Sequence, residues 1–318
     1  LLWSKTHYKK FEEFDGIKVA DILTKLKKGT VPTKAIEHSI PDWLSETLEK
    51  ELGKSWEREM LALNEQAPTV LRANTLKTTP RELIADLNDE NVEAFTIKNY
   101  PDAIQLAEKK NVFLTSAFKD GFFEVQDASS QKIGELLDVQ EGMRVVDACA
   151  GAGGKTLHLA ALMKNKGQII ALDIYEWKLT ELKRRAKRAG AHNIETRLIS
   201  DNKVIKRLHE KADRLFIDAP CSGLGVLKRN PDSKWKIDQA FIDRIKGEQQ
   251  QILQDYSKIL KKGGQMIYAT CSILPSENNE QVKLFLSNNP DFTLVKDQKI
   301  MPSEGYDGFY MALIKRNA

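Results

Sequence analysis

The sequence predicts an α/β protein whose main domain is a doubly wound, mostly parallel sheet of seven strands. Short apolar runs bounded by turn residues recur through the C-terminal part of the 318-residue chain. Such runs are typical of strands buried on both faces of a parallel sheet. Amphipathic segments of helical length separate them, as in a sheet covered by helices. Several runs end in Asp or Cys, at the edge where open α/β sheets bind ligands.

Strands and helices alternate in order along this C-terminal part. The predicted strands occupy residues 144–147, 168–173, 194–200, 212–218, 265–269, 292–295 and 308–314, and the predicted helices occupy residues 130–137, 155–163, 176–189, 240–260 and 278–288. The last two strands follow each other closely, so we expect an antiparallel pair at an edge of the sheet. Asp127 or Ser129 is placed to cap the first of these helices.

The chain divides into three parts by its patterns: a helical segment (1–66), a small α/β or α+β module (67–125) and the main domain (126–318). In the first part, residues 18–28 have apolar positions at helical spacing, and a second helix starts with Pro41 in its first turn. In the second part, Thr79 is expected to cap a helix that begins at Pro80.

Composition excludes several classes of protein. An apolar content of 41% with 30% charged residues is that of an ordinary globular chain, and no apolar run approaches the length of a membrane span. Three scattered cysteines argue against a disulfide framework and favour a reducing, cytoplasmic compartment. No Cys/His cluster has zinc spacing, so we expect no metal site. The net charge of +4 permits a polyanionic partner.

Two further expectations concern the size of the functional unit. No exposed heptad or apolar stripe is visible, so we expect a monomer without an obligate protein partner. The chain begins Leu1-Leu2-Trp3 without a Met, which leaves open a domain before residue 1.

A glycine-rich loop follows the first strand of the main domain. The loop, Cys149-Ala-Gly-Ala-Gly-Gly-Lys-Thr156, lets the backbone approach a ligand in front of a helix N-terminus. A dinucleotide fingerprint would require Gly at Thr156, and a phosphate-binding loop of the nucleotide hydrolases would require Gly at Cys149. Each motif fails by one essential residue.

The acids at the strand ends indicate a different ligand. Asp173, Asp201 and Asp218 each follow a predicted strand, and Asp173 suits ribose hydroxyls. A sheet edge lined with acids attracts a ligand that carries sulfonium and amino groups and repels pyrophosphate. We therefore expect S-adenosylmethionine, while ordinary turn-forming aspartates are the alternative.

Two cysteines are predicted to meet at this edge. Cys221 and Cys271 follow strands that are neighbours in a doubly wound sheet, with Asp218 close by. Carbon 5 of cytosine is a poor nucleophile, and a thiolate that adds to carbon 6 converts it into an enamine. An acid at ring nitrogen 3 and a base for the carbon 5 proton complete the chemistry. Buried, inert cysteines are the alternative, and we interpret Cys149 as structural.

Five motifs together resemble those of the RNA cytosine-5 methyltransferases of the Fmu/Sun (RsmB-like) and NOP2/NSUN family, over about residues 69–318. They are Val125-Gln-Asp-Ala-Ser-Ser130, Cys149–Thr156, Asp218-Ala-Pro-Cys-Ser-Gly223, Arg229-Asn-Pro-Asp-Ser-Lys-Trp235 and Tyr268-Ala-Thr-Cys-Ser-Ile-Leu-Pro-Ser-Glu-Asn278. The resemblance implies a Rossmann-like methyltransferase sheet with Cys271 as nucleophile and Cys221 assisting release. DNA methyltransferases lack the second cysteine of this pair, so the pair indicates RNA.

The resemblance also implies the ligand contacts. The methyl donor would contact the backbone of the loop (Cys149, Ala150, Gly151, Ala152, Gly153, Gly154 and Lys155) and the carboxylates of Asp173, Asp201 and Asp218. One departure is visible, since the loop commonly reads Ala-Ala-Pro-Gly-Gly-Lys and this chain has Gly151-Ala152-Gly153 at its centre. The change loosens the turn but keeps the backbone donors.

The sequence indicates the contacts to RNA less specifically than those to the methyl donor. Lys228, Arg229 and Lys234 follow the Pro-Cys motif in a basic loop, where we expect phosphate contacts, and Trp235 is expected to stack on a base or to anchor the loop. A run of basic residues on the helix at 176–189 is typical of a solvent-exposed helix face. The resemblance implies that the small module is RRM-like and that residues 1–66 are the tail of an NusB-like domain.

These observations predict an S-adenosylmethionine-dependent RNA cytosine-5 methyltransferase that acts on small-subunit ribosomal RNA. A tRNA substrate is the nearest alternative. A catalytically silent RNA-binding factor for ribosome assembly and a nucleotide hydrolase are the alternatives from other classes.

Overall fold

A computed structural model of the protein describes residues 33–318, and the helix predicted over residues 18–28 lies outside this range. Three helices come first: α1 (Lys34–Glu37), α2 (Asp42–Leu52) and α3 (Trp56–Leu63). Pro41 was expected in the first turn of α2, but it is the N-cap of that helix. Its fixed φ suits the extended conformation of a cap, which has no need of an N–H donor.

A four-stranded antiparallel sheet follows. Its elements are β1 (Val70–Ala73), α4 (Pro80–Asp89), β2 (Ala94–Ile97), β3 (Tyr100–Leu106), α5 (Ser116–Lys119) and β4 (Phe123–Val125), with the strand order β2-β3-β1-β4. This is the β-α-β-β-α-β ferredoxin-like arrangement. Thr79 caps α4 as predicted, since its hydroxyl accepts a hydrogen bond from the backbone N–H of Glu82 while the Glu82 carboxylate accepts one from the backbone N–H of Thr79.

The main sheet has seven strands in the order β10-β11-β9-β8-β5-β6-β7, so the predicted fold class is confirmed. Its elements are α6 (Ala128–Leu137), β5 (Arg144–Asp147), α7 (Gly154–Leu162), β6 (Gln168–Asp173), α8 (Glu176–Ala189), β7 (Ile194–Leu198), α9 (Asn202–Lys206), β8 (Ala212–Asp218), α10 (Ser233–Lys236), α11 (Gln239–Tyr256), β9 (Leu260–Thr270), α12 (Asn279–Asn288), β10 (Phe292–Ile300) and β11 (Phe309–Arg316). The strands from β9 to β7 in this order are parallel, and β10 and β11 add the predicted antiparallel pair at one edge.

Two strands are longer than their apolar patterns predict. Strand β9 begins at Leu260, where the predicted helix 240–260 was expected to end, because α11 already stops at Tyr256. Its first half is polar and glycine-rich and pairs with β8 through Leu260, after which the register shifts and regular pairing resumes at Gln265, a feature that no apolar pattern reveals. Strand β10 is solvent-exposed along most of its length, as an edge strand can be.

Alternate side chains of the main sheet enter two separate cores. Val145 and Ile169 pack with Leu157 and Leu182 from α7 and α8, whereas Val146 and Ile170 pack on the opposite face with Leu253 from α11. Burying each such side chain contributes about 1.5–3 kcal/mol. Helices therefore fix the sheet from both sides, and the strand ends are left to form a site. None of the helices in residues 33–318 is long and apolar enough to cross a membrane.

Candidate active site

The two predicted cysteines meet at the carboxyl edge of the sheet. Cys271 directly follows β9, and Cys221 follows β8 after Pro220 has ended that strand. The two strands are parallel neighbours whose register places Asp218 opposite Ala269. The Sγ atoms of Cys221 and Cys271 lie 3.4 Å apart. Two thiols that follow adjacent strands at the same edge therefore face one common point.

The surroundings of Cys221 favour its neutral thiol. Its hydrogen bond with Cys271, together with burial and the negative charge of Glu277, raises the pKa of Cys221 well above the ordinary value. A thiol with a raised pKa is a poor nucleophile at neutral pH, and its thiolate, once formed, is a strong base.

A cation and a carboxylate form a pair beside the thiols. The Nζ of Lys155, at the start of α7, lies 2.6 Å from Oδ2 of Asp218, the last residue of β8. Burial lowers the pKa of Lys155, but the charge of Asp218 and the hydrogen bond to it outweigh this effect and raise the pKa overall. Lys155 is therefore protonated, and it also lies 5.3 Å from the centre of the Phe309 ring.

The glycine loop turns tightly between β5 and α7. Gly151 and Gly153 have φ angles of +54° and +87°, which favour glycine. A Cβ atom at Gly153 would lie 2.5 Å from Cγ of Leu182 in α8, whereas one at Gly151 would project into open space. The loop is held by Asp173, whose Oδ2 accepts a hydrogen bond from the backbone N–H of Gly151 at 2.9 Å.

Two cavities of about 300 Å³ and 230 Å³ lie on either side of this loop and share Cys149, Gly151 and Asp218. The larger is lined by Ala148, Cys149, Gly151, Asp173, Ile174, Tyr175, Lys178, Ile199, Asp218, Pro220, Ile252 and Tyr256. Its apolar side chains suit an adenine ring, and Asp173 lies where a ribose would be recognised. The smaller cavity is lined by Ala150, Ala152, Gly154 and Lys155 among others, so it extends toward the Lys155–Asp218 pair. The two cavities together form a cradle around the glycine loop.

Asp201 was expected to contact the donor and is placed differently. Its Oδ1 accepts a hydrogen bond from the backbone N–H of Lys203 at 2.8 Å, so Asp201 is the N-cap of α9. It lies outside the lining of both cavities. The turn-forming role that we considered as the alternative for these aspartates applies to Asp201 here.

Asp147 is a buried acid that the sequence analysis did not assign. It ends β5, and its Oδ2 accepts a hydrogen bond from the hydroxyl of Thr156 at 2.7 Å. Burial, opposed by this hydrogen bond and reinforced by the charge of Asp218, raises the pKa of Asp147 to about 7. The residue lines the smaller cavity, where its charge depends on pH near neutrality.

The basic loop is engaged in contacts within the protein. Arg229 forms ion pairs with Asp127 at 2.8 Å and Asp307 at 2.7 Å, and Nζ of Lys228 lies 3.2 Å from the carbonyl oxygen of Pro302. Lys234 is only 5% exposed, so it cannot reach an RNA phosphate in this conformation, and that expectation needs correction. A four-residue helix, α10, turns its side chain inward, where Nζ lies 3.4 Å from Oδ1 of Asn64.

Trp235 lies next to Lys234 on the same short helix and points outward. Its side chain is 57% exposed, so it does not anchor the loop in the core. Of the two roles considered for Trp235, only stacking on a partner is compatible with this position.

Buried charges tie the small sheet to the glycine loop. Arg72 of β1 donates hydrogen bonds to the side chain of Gln126 and, at 2.6 Å, to the carbonyl oxygen of Gly154. Arg185 of α8 pairs with Glu124 of β4 at 2.8 Å and donates to the carbonyl oxygen of Ala152, also at 2.8 Å. The conformation of the loop therefore depends on side chains from both sheets.

Arg72 and Glu277 are further residues that the sequence analysis missed. Arg72 lies in β1, whose four residues are all buried, and the charge of its side chain gave no indication of that burial. Glu277 is fully buried beside the cysteines. The pattern Cys-Ser-x-Leu, which occurs at both Cys221 and Cys271, is visible in the sequence but does not indicate which carboxylate its serines contact.

Comparisons with known proteins agree with this architecture. The family described as 16S rRNA methyltransferase RsmB/F matches residues 135–315, and the RsmF/B-like, ferredoxin-like domain matches residues 40–113. Proteins named ribosomal RNA small subunit methyltransferase B are 36% identical in Klebsiella pneumoniae and 34% identical in Proteus mirabilis. Each alignment covers 87% of this chain, which spans 66% and 65% of the two relatives.

A solved structure shows the same arrangement. The crystal structure of PH0851 superposes with a TM-score of 0.86 at 30% sequence identity and covers 93% of this chain and 72% of its own. The family match covers more than half of the 318 residues, including both cysteines and the glycine loop. The chain therefore belongs to the RsmB/F family of 16S rRNA methyltransferases.

Proposed function

We propose that this chain transfers a methyl group from S-adenosylmethionine to carbon 5 of a cytosine in RNA, with small-subunit ribosomal RNA as the substrate. The observation that carries the proposal is the 3.4 Å approach of the Cys221 and Cys271 sulfur atoms beside the Lys155–Asp218 pair. The names of the relatives support the choice of RNA. Because the chain spans about two-thirds of these relatives, the substrate of the whole protein belongs to the proposal.

The cradle around the glycine loop would hold the donor. Cys149 and Gly151 line both cavities, Asp173 lines the larger one at the proposed ribose position, and Ala150, Ala152, Gly154 and Lys155 line the smaller one. When bound, S-adenosylmethionine supplies an electrophilic methyl group. The fit rests on the two cavities, which share Cys149, Gly151 and Asp218, and on the open space at the Cβ position of Gly151, which leaves the loop backbone accessible to a ligand.

Cys271 would open the reaction on the cytosine. Its thiolate adds to carbon 6, and the π electron pair of the carbon 5–carbon 6 bond moves between carbons 4 and 5 to form an enamine. Ring nitrogen 3 takes the π electron pair of its bond to carbon 4, together with a proton that the Lys155–Asp218 pair supplies. Asp218 faces ring nitrogen 3, and the Lys155 ammonium at 2.6 Å balances negative charge there. Carbon 5 of the adduct would then form its bond to the methyl group, whose bond to the donor sulfur breaks with both electrons left on that sulfur.

Cys221 would close the reaction. After its thiol has lost a proton to solvent, the Cys221 thiolate takes the proton from carbon 5, the electrons of that C–H bond restore the carbon 5–carbon 6 double bond, and Cys271 leaves as a thiolate. The raised pKa of Cys221 suits a proton acceptor better than a nucleophile. The proton passes to solvent before the next turnover.

Other parts of the proposal concern the rest of the chain. We retain the division into residues 1–66, 67–125 and 126–318, with the middle part as an RNA-binding module. Lys228 and Arg229 would meet RNA only after their internal contacts rearrange, whereas the exposed Trp235 would stack on a base from its present position. A monomer acting in the cytoplasm remains part of the proposal.

The test is methyl transfer with isotopically labelled donor. The purified chain is incubated with labelled S-adenosylmethionine and either small-subunit ribosomal RNA or tRNA from cells that lack the enzyme, and bisulfite sequencing locates the product. We expect label at one or a few cytosines of the ribosomal RNA, and none with Cys271→Ala. Label in tRNA would mean that tRNA, and not ribosomal RNA, is the substrate. RNA binding without any methylation would favour the assembly-factor alternative.

A further inference from the structure

The segments that carry the two cysteines are built alike. Cys221-Ser222-Gly-Leu224 and Cys271-Ser272-Ile-Leu274 share the pattern Cys-Ser-x-Leu. In each, the serine Oγ accepts a hydrogen bond from the backbone N–H of the leucine, at 3.4 Å and 3.1 Å. Both leucines are fully buried in the same cluster. Each thiol thus lies on a turn of the same form, held from behind by its serine.

One buried carboxylate joins these two turns. Glu277 is completely buried, and its Oε1 accepts hydrogen bonds from the backbone N–H of Ser222 at 2.8 Å and from Nε2 of Gln249 at 3.2 Å. Its Oε2 accepts from the hydroxyl of Ser222 at 2.5 Å and from the hydroxyl of Ser272. Within residues 33–318 no cation lies within ion-pair distance of Glu277, so four neutral donors offset its burial.

The two turns do not depend equally on Glu277. The Cys271 turn has other anchors, because Nδ2 of Asn278 donates to the carbonyl oxygen of Ser272 at 2.9 Å and the turn continues β9 directly. The Cys221 turn comes after Pro220 has left the sheet. It is held by two hydrogen bonds from Ser222 to Glu277. Its other ties run to the Cys271 turn, since the Ser222 hydroxyl lies 3.2 Å from that of Ser272 and the backbone N–H of Gly225 donates to the carbonyl oxygen of Cys271 at 2.9 Å.

Gln249 adds to this dependence. Its Nε2 donates to the carbonyl oxygen of Pro220 at 2.9 Å and also to Glu277. Removing the carboxylate therefore loosens both the residue before Cys221 and the residue after it.

We infer that Glu277 is a positioning residue for the release step, which holds Cys221 against Cys271 and leaves Cys271 largely unaffected. The effect of Glu277 on catalysis rests on the proposed function. Its effect on the position of Cys221 does not. Without Glu277 the chain forms the covalent RNA adduct and methylates it, yet removes the carbon 5 proton slowly. Glu277→Ala should thus behave like a variant that lacks the Cys221 thiol.

The chain offers a matched control. Glu59 is also fully buried and accepts hydrogen bonds from the backbone N–H and the hydroxyl of one serine, Ser303, both at 2.9 Å, but it ties α3 to the turn after β10. Unlike Glu277, Glu59 also pairs with Arg58 at 2.9 Å, and Glu59→Ala removes a buried carboxylate while leaving the cysteine turns intact. Glu277→Gln serves as the conservative variant, because its amide oxygen still accepts from the backbone N–H of Ser222.

The first readout needs no RNA. The rate at which iodoacetamide labels Cys221 is measured across pH by mass spectrometry, with Cys149 in the same sample as the reference. We expect labelling of Cys221 to rise about tenfold or more in Glu277→Ala, with the pH profile moved to lower pH, because the turn opens and a negative charge is removed. Glu59→Ala should label like the unaltered chain, and Glu277→Gln should shift the profile with a smaller gain in rate.

The second readout is RNA that stays attached through denaturation when methyl donor is present. We expect Glu277→Ala to accumulate a methylated adduct and to lose turnover by about 10- to 100-fold, as displacement of a catalytic group by about 1 Å can do. Glu277→Gln should recover most of the turnover, and Glu59→Ala should show no adduct.

The two readouts separate the inference from the proposed function. Unchanged labelling of Cys221 in Glu277→Ala would overturn the inference, as would turnover equal to that of Glu59→Ala. A third outcome is that Cys221 becomes reactive in Glu277→Ala while neither Glu277→Ala nor Cys221→Ala traps RNA. That result would support Glu277 as the residue that positions Cys221 and would contradict the proposed reaction.

Discussion

The ammonium group of Lys155 and the carboxylate of Asp218 lie 2.6 Å apart, one at the start of α7 and the other at the end of β8. The glycine loop that precedes α7 thereby carries a cation to the strand end beside the two thiols. This contact connects the proposed donor cradle to the proposed cytosine site. It also places a positive charge next to the carboxylate that would face the cytosine ring.

Replacing Lys155 with Met should therefore impair the chemical step. We expect single-turnover methylation to fall about 100-fold, because a charged donor aimed at the reacting ring is lost and Asp218 loses its partner. Rapid-quench measurement with labelled donor checks this. Lys166→Met is the control, since Lys166 is an exposed lysine paired with Glu141. Equal rates in both variants would contradict the role of Lys155.

Gly225 should be intolerant of any side chain. Its backbone N–H donates to the carbonyl oxygen of Cys271 at 2.9 Å, and an added Cβ would lie 2.3 Å from the carbonyl oxygen of Gly308. We expect Gly225→Ala to lower the free energy of unfolding by about 1–3 kcal/mol through overpacking and to displace Cys271. Urea denaturation and the methylation rate measure the two effects.

Gly247 supplies the opposite case in the same protein. It lies within α11, and an added Cβ would meet no atom within 4 Å. Gly247→Ala should therefore stabilise the fold by about 0.5–1 kcal/mol, since alanine loses less entropy in a helix. Destabilisation by Gly247→Ala, or tolerance of Gly225→Ala, would contradict the packing described here.

Asp147 should make stability depend on pH. Its pKa of about 7 in the folded protein is higher than the value of about 4 for an unfolded chain, so the folded state binds the proton more tightly. Its contribution is fully present below pH 4 and is lost as the pH rises from about 4 to 7, at up to about 1.4 kcal/mol per pH unit. Asp147→Asn keeps an acceptor for Thr156 and removes the titration.

The measurement compares urea unfolding of the two proteins between pH 4 and pH 8. The unfolding free energy of the unaltered chain minus that of Asp147→Asn should decrease as pH rises. A difference that is constant over this range would show that Asp147 titrates normally.

Arg72 should stabilise both the fold and the donor cradle. Burial lowers the pKa of Arg72 to about 10, with the charge of Glu124 opposing this effect, so it is still protonated at neutral pH. Arg72→Met leaves the Gly154 carbonyl without its 2.6 Å donor, and we expect a loss of about 1–3 kcal/mol in unfolding free energy. Calorimetric titration should also show weaker binding of S-adenosylmethionine.

Arg184→Met is the control for this experiment. Arg184 is exposed and pairs with Glu181 one turn away on α8, a contact worth about 0.2–0.5 kcal/mol. A change in donor affinity equal to that of Arg72→Met would mean that general loss of positive charge, and not the contact with the loop, is responsible.

The sequence was sufficient for features that depend on local patterns. The apolar runs of parallel strands indicate where each strand ends. The sheet edge shared by Asp173, Asp218, Cys221 and Cys271 could therefore be predicted from the sequence. The boundaries of α8 and β8 also agree with their patterns, because amphipathic spacing and a terminal turn residue define both.

Contacts between distant buried polar groups could not be predicted in this way. Glu277 meets Ser222 across 55 residues of sequence, and Arg72 meets Gly154 across 82. Such pairs leave no periodicity, since the burial of a charged side chain depends on partners that only the folded chain brings together. Lys234 shows the same limit, because its type indicated a solvent-exposed cation and its side chain is buried.

The most direct test of the two-thiol reaction is a trapping experiment. Cys221→Ala and Cys271→Ala are each incubated with methyl donor and RNA from cells that lack the enzyme, denatured, and examined for attached RNA. We predict that Cys221→Ala accumulates a methylated covalent adduct and that Cys271→Ala forms none. If neither variant traps RNA while both still bind it, or if only Cys271→Ala traps it, the assignment of Cys271 as the nucleophile is wrong.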